Sequence, residues 1–373
     1  MNLELTDEQT FLREAARDAF SRTKTIAAAR DALEDRAALP DLWPTAREAG
    51  WTGLLVGEKH GGAGLGVFDA ALVMMEAGRV LAGVPLLGHL PASALADLAG
   101  AGEIVGELAE GERRGCFIPA RPPGDVAAGW TVEPRSGSAR VAAPTVDDAG
   151  CLFGSAAWVP DAPGADGFVV AATRADGTPA AVATAGSGEG IGVEDVMRYD
   201  ATRSLGHVTF DGAGGAVLDG IGADELARAW YLQQVLLAAE SLGAVDTALA
   251  VSVQYAKERF TFGRAIGSYQ AVKHSLVEVL RLRENAYSLL VYAGWAYEDG
   301  RDEFALAASA ARVAAGHALD DASRTMISVH GGIGATWEHD APLFFRRAQL
   351  SRRLLGGIGD ATDRVAGELL NAA

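Results

Sequence analysis

Cysteine is almost missing: Cys116 and Cys151 are the only two among 373 residues. Two isolated thiols cannot build a disulfide-dense scaffold, and neither stands in a zinc-type spacing with His or Cys, so no metal site is expected and a reducing, cytoplasmic setting is. Basic charge is also short, with Lys+Arg 32 against Asp+Glu 49 and a net charge of −17. Such a surface repels phosphate backbones, which excludes nucleic acid as a natural partner. The opening MNLELTDEQTFLREAARDAF has no basic stretch leading into an apolar one. With no run of about 18 apolar residues read from the sequence, neither secretion nor membrane spanning is expected.

Proline is absent between Pro179 and Pro342, and glycine is sparse from Ala223 to Ala311. That stretch is therefore expected to be helical. What is present divides the chain in three. Up to about Arg113, Thr6 offers an N-cap to a helix through Phe11, Ala15 and Phe20, and Val67 to Leu81 reads as another. From Ile118 to Gly222 eight prolines and many glycines bound short apolar runs such as Trp158-Val159, Phe168–Ala172 and Val208–Phe210, the pattern of strands and turns. After Ala223, apolar residues at three- and four-residue steps (Leu232, Leu236, Ala239, Leu242, Leu249, Val253) open a helical bundle continued by Val272–Leu290, Glu303–Leu319 and Pro342–Leu355. The expected fold class is α+β, with a helical segment at 1–113, a central β-barrel or sandwich at 114–222 and a C-terminal four-helix bundle at 223–373. Gly61 to Gly66 has neither a preceding apolar strand nor a following Lys-Ser/Thr, so it reads as a turn and not a phosphate loop.

Two stretches carry chemistry. In Arg259-Phe260-Thr261-Phe262-Gly263-Arg264-Ala265-Ile266-Gly267-Ser268-Tyr269-Gln270 an apolar helix ends in a basic, aromatic turn, and Ser268 is a natural cap for the next helix. Arg259 and Arg264 there are anion contacts or solvated turn charges. In His330-Gly331-Gly332-Ile333-Gly334, glycines allow close backbone approach to a phosphate or serve a plain interhelical loop.

Taken together, Arg259, Phe262, Gly263, Ile266 and Gln270, followed by Gly331, Gly332 and Gly334, resemble the acyl-CoA dehydrogenase family. Leu5–Gln9, Gly50-Trp51 leading into the Gly61–Gly66 loop, and Glu338–Asp340 before Arg346-Arg347 match in the same order, so the resemblance spans nearly the whole chain. It implies FAD as cofactor and an acyl-CoA thioester as substrate. A carboxylate would remove the α-proton while the β-hydrogen leaves as hydride to the flavin. It also implies that Arg259 and Gln270 contact the diphosphate and ribose of a neighbouring subunit's FAD, with Phe262 on the adenine side. Gly331 and Gly332 would give the same dinucleotide its backbone approach. Trp158 falls where the family sets an indole beside the isoalloxazine, or else is an aromatic of the β core.

The chain departs from the family at the base. The two positions where the family carries its glutamate hold Leu354-Leu355-Gly356 and Gln233, neither of them an acid. Glu240, seven residues beyond Gln233 and so about 10.5 Å along the same helix face, is the substitute candidate, to be set against an ion-pair role. Ser328 and Pro160 also replace polar groups common near the flavin. The Leu354–Gly356 ending and the Asp200-x-x-Arg203 link resemble the actinobacterial branch acting on steroid side-chain or polyketide-like thioesters. That likeness implies either a complete dehydrogenase or a half-site subunit of an α2β2 heterotetramer. Electrons would pass to an electron-transfer flavoprotein or similar acceptor.

Overall fold

The computed structural model describes residues 4–122, 128–132, 134, 139–300 and 302–371. Six helices come first: α1 (Asp7–Ser21), α2 (Thr25–Asp31), α3 (Trp43–Glu48), α4 (Val67–Arg79), α5 (Leu86–Leu98) and α6 (Glu103–Ala109). Thr6 caps α1 as expected, its hydroxyl accepting from Gln9 N while the Gln9 side chain accepts from Thr6 N. The inward face of α1 is Ala16 and Phe20, whereas Phe11, read as part of the stripe, is 75% exposed. Helix α4 is apolar on nearly every side and is buried accordingly.

The strands are β1 (Gly115–Ile118), β2 (Trp130–Val132), β3 (Arg140–Ala142), β4 (Thr145–Val146), β5 (Cys151–Pro160), β6 (Gly167–Arg174), β7 (Pro179–Ala185), β8 (Ile191–Asp195) and β9 (Leu205–Val217). Pairings β6–β4, β4–β5, β5–β9, β9–β7 and β7–β6 return to their start, closing a small barrel. Strand β1 lies parallel to the other end of β6, and β8 adds to β9. The interior holds Ile118, Leu152, Phe168, Val170, Val182, Val208 and Phe210. Closure removes the sheet edges that short, turn-rich strands would otherwise expose.

Helices α7 (Ala223–Glu258), α8 (Gln270–Glu298), α9 (Phe304–His330), α10 (Ala341–Ser351) and α11 (Gly357–Asn371) complete the chain. Alanines 307, 308, 311, 315, 318 and 322 of α9 are buried, and their small side chains let α9 lie close to α7 and α8. Three boundaries differ from the sequence expectation. Helix α9 runs on to His330, because nothing before Gly331 at φ +64 interrupts it. Helix α11 was hidden by the glycines at its start. Ser268 does not cap α8; its hydroxyl bonds Ala265 O within a short 3-10 turn, and Tyr269 stands at the cap position. A fourth correction concerns α7, which contains an 18-residue window of mean hydropathy 1.5, apolar and long enough to cross a membrane by composition alone. Since 72% of that window is buried inside the protein, its hydropathy is that of a core helix.

Candidate active site

Trp158 owes its placement to an irregularity in the barrel wall. Along β5 and β9, Ala156 pairs with Val208 and Val159 with Gly206, so Ala157 and Trp158 together oppose His207 alone. This is a β-bulge, and Trp158 within it adopts φ +58, a conformation bulky residues hold only when their surroundings enforce it. The bulge turns the indole into a cleft of ≈ 650 Å³. Its walls include Trp130, Trp158, Trp230 and Leu354–Gly356, with Arg121, Arg140, Arg198 and Arg353 among them. Arg198 lies 3.8 Å from the Trp158 ring centre and Arg140 4.3 Å from that of Trp130.

The opposite wall is a strained segment. Leu355, Gly356 and Gly357 have successive φ values of +52, +81 and +74. Gln234 holds it by donating Nε2 to Leu355 O at 3.0 Å. Arg312, fully buried, donates to the carbonyls of Ser351 and Leu354, satisfying the end of α10. Burial, reinforced by the nearby Arg203 charge, lowers the Arg312 pKa to about 10, which leaves it cationic at neutral pH.

Among the described residues, Asp360 in the first turn of α11 is the one carboxylate lining the cleft. Arg121 reaches it at 3.5 Å and Arg140 at 4.0 Å. Asp360 carries no signal at the positions where the family sets its acid, because it lies four residues past Gly356. His207 and Arg198 carry no sequence signal either, because a bulge has no signature in composition.

Glu240 lies elsewhere. It is 2% exposed, with Oε1 accepting from Arg347 Nη1 at 2.6 Å and Oε2 from Arg203. Arg347 also bonds Asp200 at 2.7 Å, Thr202 Oγ1 and Leu81 O. Burial would raise the Asp200 pKa, but the Arg347 charge and the Thr202 hydroxyl outweigh it and hold the carboxyl below its ordinary value. Of the two roles set out for Glu240, its surroundings are those of the ion pair, a buried cluster with two guanidinia, and it is not among the residues lining the cleft. Gln233, at 0% exposed, donates to Leu87 O, while its Oε1 is buried without a hydrogen-bond partner.

The remaining expected cofactor residues gather at the far end of the bundle. Tyr255 near the end of α7 packs on His330 at the end of α9 with ring centres 4.3 Å apart, which sets the Arg259–Gln270 turn beside Gly331 and Gly332. Arg259 and Gln270 are exposed, and Phe262 is 93% exposed at φ +48. A side chain added at Gly331 or Gly332 would meet nothing within 4 Å, so their backbone is open to approach. From Trp230 at the cleft to Arg259 the helix runs 29 residues, about 43 Å at 1.5 Å each. The cleft that holds Trp158 and the Arg259 group thus stand at opposite ends of α7.

A helical front, a closed barrel and a helical bundle around such a cleft define the acyl-CoA dehydrogenase fold. Residues 6–102 match the acyl-CoA dehydrogenase N-terminal domain and residues 226–366 the C-terminal domain. Acyl-CoA dehydrogenase IpdE2 of Mycobacterium tuberculosis is 32% identical over 368 residues, covering 97% of this chain and 98% of that one. FadE34 of the same organism is 35% identical over 97% of this chain, which spans 48% of that longer protein. Among solved structures, a Tcur3481-Tcur3483 steroid ACAD variant superposes with TM-score 0.85 at 28% identity, covering 98% of both chains. The ChsE4-ChsE5 complex of Mycobacterium tuberculosis shares the fold with TM-score 0.83 at 22% identity, covering 99% of both chains. The chain belongs to the acyl-CoA dehydrogenase family, flavoprotein oxidoreductases of lipid and steroid metabolism that typically use FAD.

Proposed function

We propose that this chain is a subunit of an FAD-dependent acyl-CoA dehydrogenase that converts an acyl-CoA thioester to its trans-2-enoyl-CoA. The observation carrying this reading is the separation just described, an indole-lined cleft at one end of α7 and an exposed basic, aromatic and glycine-rich group at the other. One dinucleotide shared between two subunits uses both ends. The residues fit FAD: Arg259 offers a charge-assisted contact to a diphosphate, and Gln270 a hydrogen bond to the ribose. Phe262 offers a face to the adenine, and the open backbone of Gly331 and Gly332 admits the same group. Bound FAD supplies the hydride acceptor, and an electron-transfer flavoprotein or similar partner takes the electrons onward.

The chain's own part is orientation and proton removal. Trp158 packs against the reacting end and excludes water from it, and Trp130 and Trp230 give flat walls fitted to a rigid, ring-bearing acyl group of steroid type. The proton acceptor we assign is Asp360, the carboxylate lining that cleft, while Glu240 keeps a structural role between two guanidinia. Anaerobic bleaching of the flavin by a panel of acyl-CoAs tests both assignments. Asp360→Asn should slow bleaching at least ~100-fold with flavin retained. Glu240→Gln should instead lower stability by about 3–5 kcal/mol, the cost of breaking one side of a buried ion pair. Bleaching at the wild-type rate in Asp360→Asn would reject the proton-acceptor assignment and direct the search to a second subunit's acid.

A further inference from the structure

The bulge that aims Trp158 removes its amide from the regular β5–β9 ladder, and an orphaned amide beside a cleft needs an acceptor. His207, the single residue opposite the bulge, supplies it: Trp158 N–H donates to His207 Nδ1 at 3.3 Å. The imidazole also stands edge-on to the indole, ring centres 4.4 Å apart with planes at 77°. The backbone amide of Trp158 and one edge of its ring are therefore held by a histidine that is itself 7% exposed, while Arg198 lies over the indole. Such contacts over-determine a strained residue and keep it in place.

We propose that His207 is a positioning residue for the flavin site, holding Trp158 aimed into the cleft only while Nδ1 is unprotonated. This rests on the reading that flavin lies against Trp158. The bond requires a lone pair on Nδ1, so the ring carries its proton on Nε2. A protonated ring would set N–H against N–H and push the bulge apart. The charged groups facing the ring are Glu194, its cross-strand neighbour on β8, and Arg198, which lies over the Trp158 indole. Burial lowers the His207 pKa from the ordinary 6.5; Glu194 opposes that shift and Arg198 adds to it. The ring is thus neutral through the neutral range, and Trp158 is released only on the acid side of 6.5.

The experiment follows two signals against pH in the protein as purified. One is flavin fluorescence; the other is the Trp158 amide resonance in protein labelled with 15N-tryptophan. In the wild type both should change together below pH 6.5, the ordinary histidine value. His207→Asn, whose amide oxygen accepts the same bond and does not titrate, should leave both signals flat and flavin affinity within about twofold. His207→Leu, of similar bulk without an acceptor, should show the acid-form signals already at neutral pH and bind flavin roughly tenfold more weakly, the ratio expected for a lost hydrogen bond. Titration of His207→Asn like the wild type, or wild-type signals from His207→Leu, would overturn the proposal. If His207→Leu does not fold, the contrast between wild type and His207→Asn decides. Protein that purifies without flavin and gains none on co-expression with a homologous subunit would count against the function proposed above, while its Trp158 amide titration would still support or overturn the His207 bond.

Discussion

At the scale of single residues, burial decides which polar groups are structural. His89 of α5 is fully buried, its Nδ1 accepting from Gly115 N of β1 at 3.0 Å and its Nε2–H donating to Thr52 O at 3.1 Å. Desolvation lowers its pKa from 6.5 to about 4, outweighing the backbone bond to Thr52. The folded pKa lies below the unfolded one, so the stabilisation is present above pH 6.5 and is lost as pH falls toward 4, when only the unfolded chain takes up the proton. The shift corresponds to about 3 kcal/mol. Thermal midpoints measured across that window should fall more steeply for the wild type than for His89→Gln, which can still donate toward Thr52 but does not titrate. Parallel slopes would assign the acid sensitivity to other groups. Glu240 teaches the complementary lesson. Its register on α7 was readable from sequence, whereas its partners Arg203 and Arg347 are 37 and 107 positions away and come to it only through folding.

At the scale of elements, the long helices were legible because periodicity is local, and their crossings were not because contact is between distant segments. Helices α4 and α7 touch backbone to backbone. A Cβ at Gly78 would stand 1.9 Å from Glu240 O, and one at Gly243 would stand 1.8 Å from Met75 O. Around this crossing Arg79 pairs with Asp246 at 2.9 Å and Thr247 bonds Arg79 O at 2.8 Å, so the same contact sets the depth of the Glu240 cluster. Gly243→Ala should therefore lose at least the ~1–3 kcal/mol typical of overpacking. Gly367→Ala, at a helical position where a Cβ meets nothing within 4 Å, should gain about 0.5–1 kcal/mol from helix propensity. Chemical denaturation of both variants checks the pair, and a neutral Gly243→Ala would show that the helices separate freely. The bulge at Ala157-Trp158 belongs here too: the strand was readable from its apolar run, but the extra residue that turns Trp158 into the cleft depends on what β9 places opposite.

At the scale of the whole molecule, the residues picked out as one cofactor site by their family resemblance are divided between two ends of the chain, and in the proposed assembly a second chain rejoins them. The surface at the Arg259 end carries solvent-facing aromatic area, with Phe260 63% exposed, Phe262 93% and Trp337 71%, on a chain of net charge −17. If a neighbouring subunit's dinucleotide covers that end, assembly and flavin retention are linked equilibria, since a ligand held by two subunits stabilises their association. Arg259→Ala removes a charge-assisted contact worth about 1.5–3 kcal/mol, roughly 10- to 150-fold in flavin affinity. The variant should purify largely colourless, with its helix content intact. Its oligomer should dissociate at higher protein concentration than the wild type, measurable by sedimentation at micromolar concentration with and without added FAD. A flavin-loaded wild-type monomer would contradict the shared site. A colourless wild-type oligomer that gains flavin only when co-expressed with a homologous subunit would place the other half of the site on that second chain.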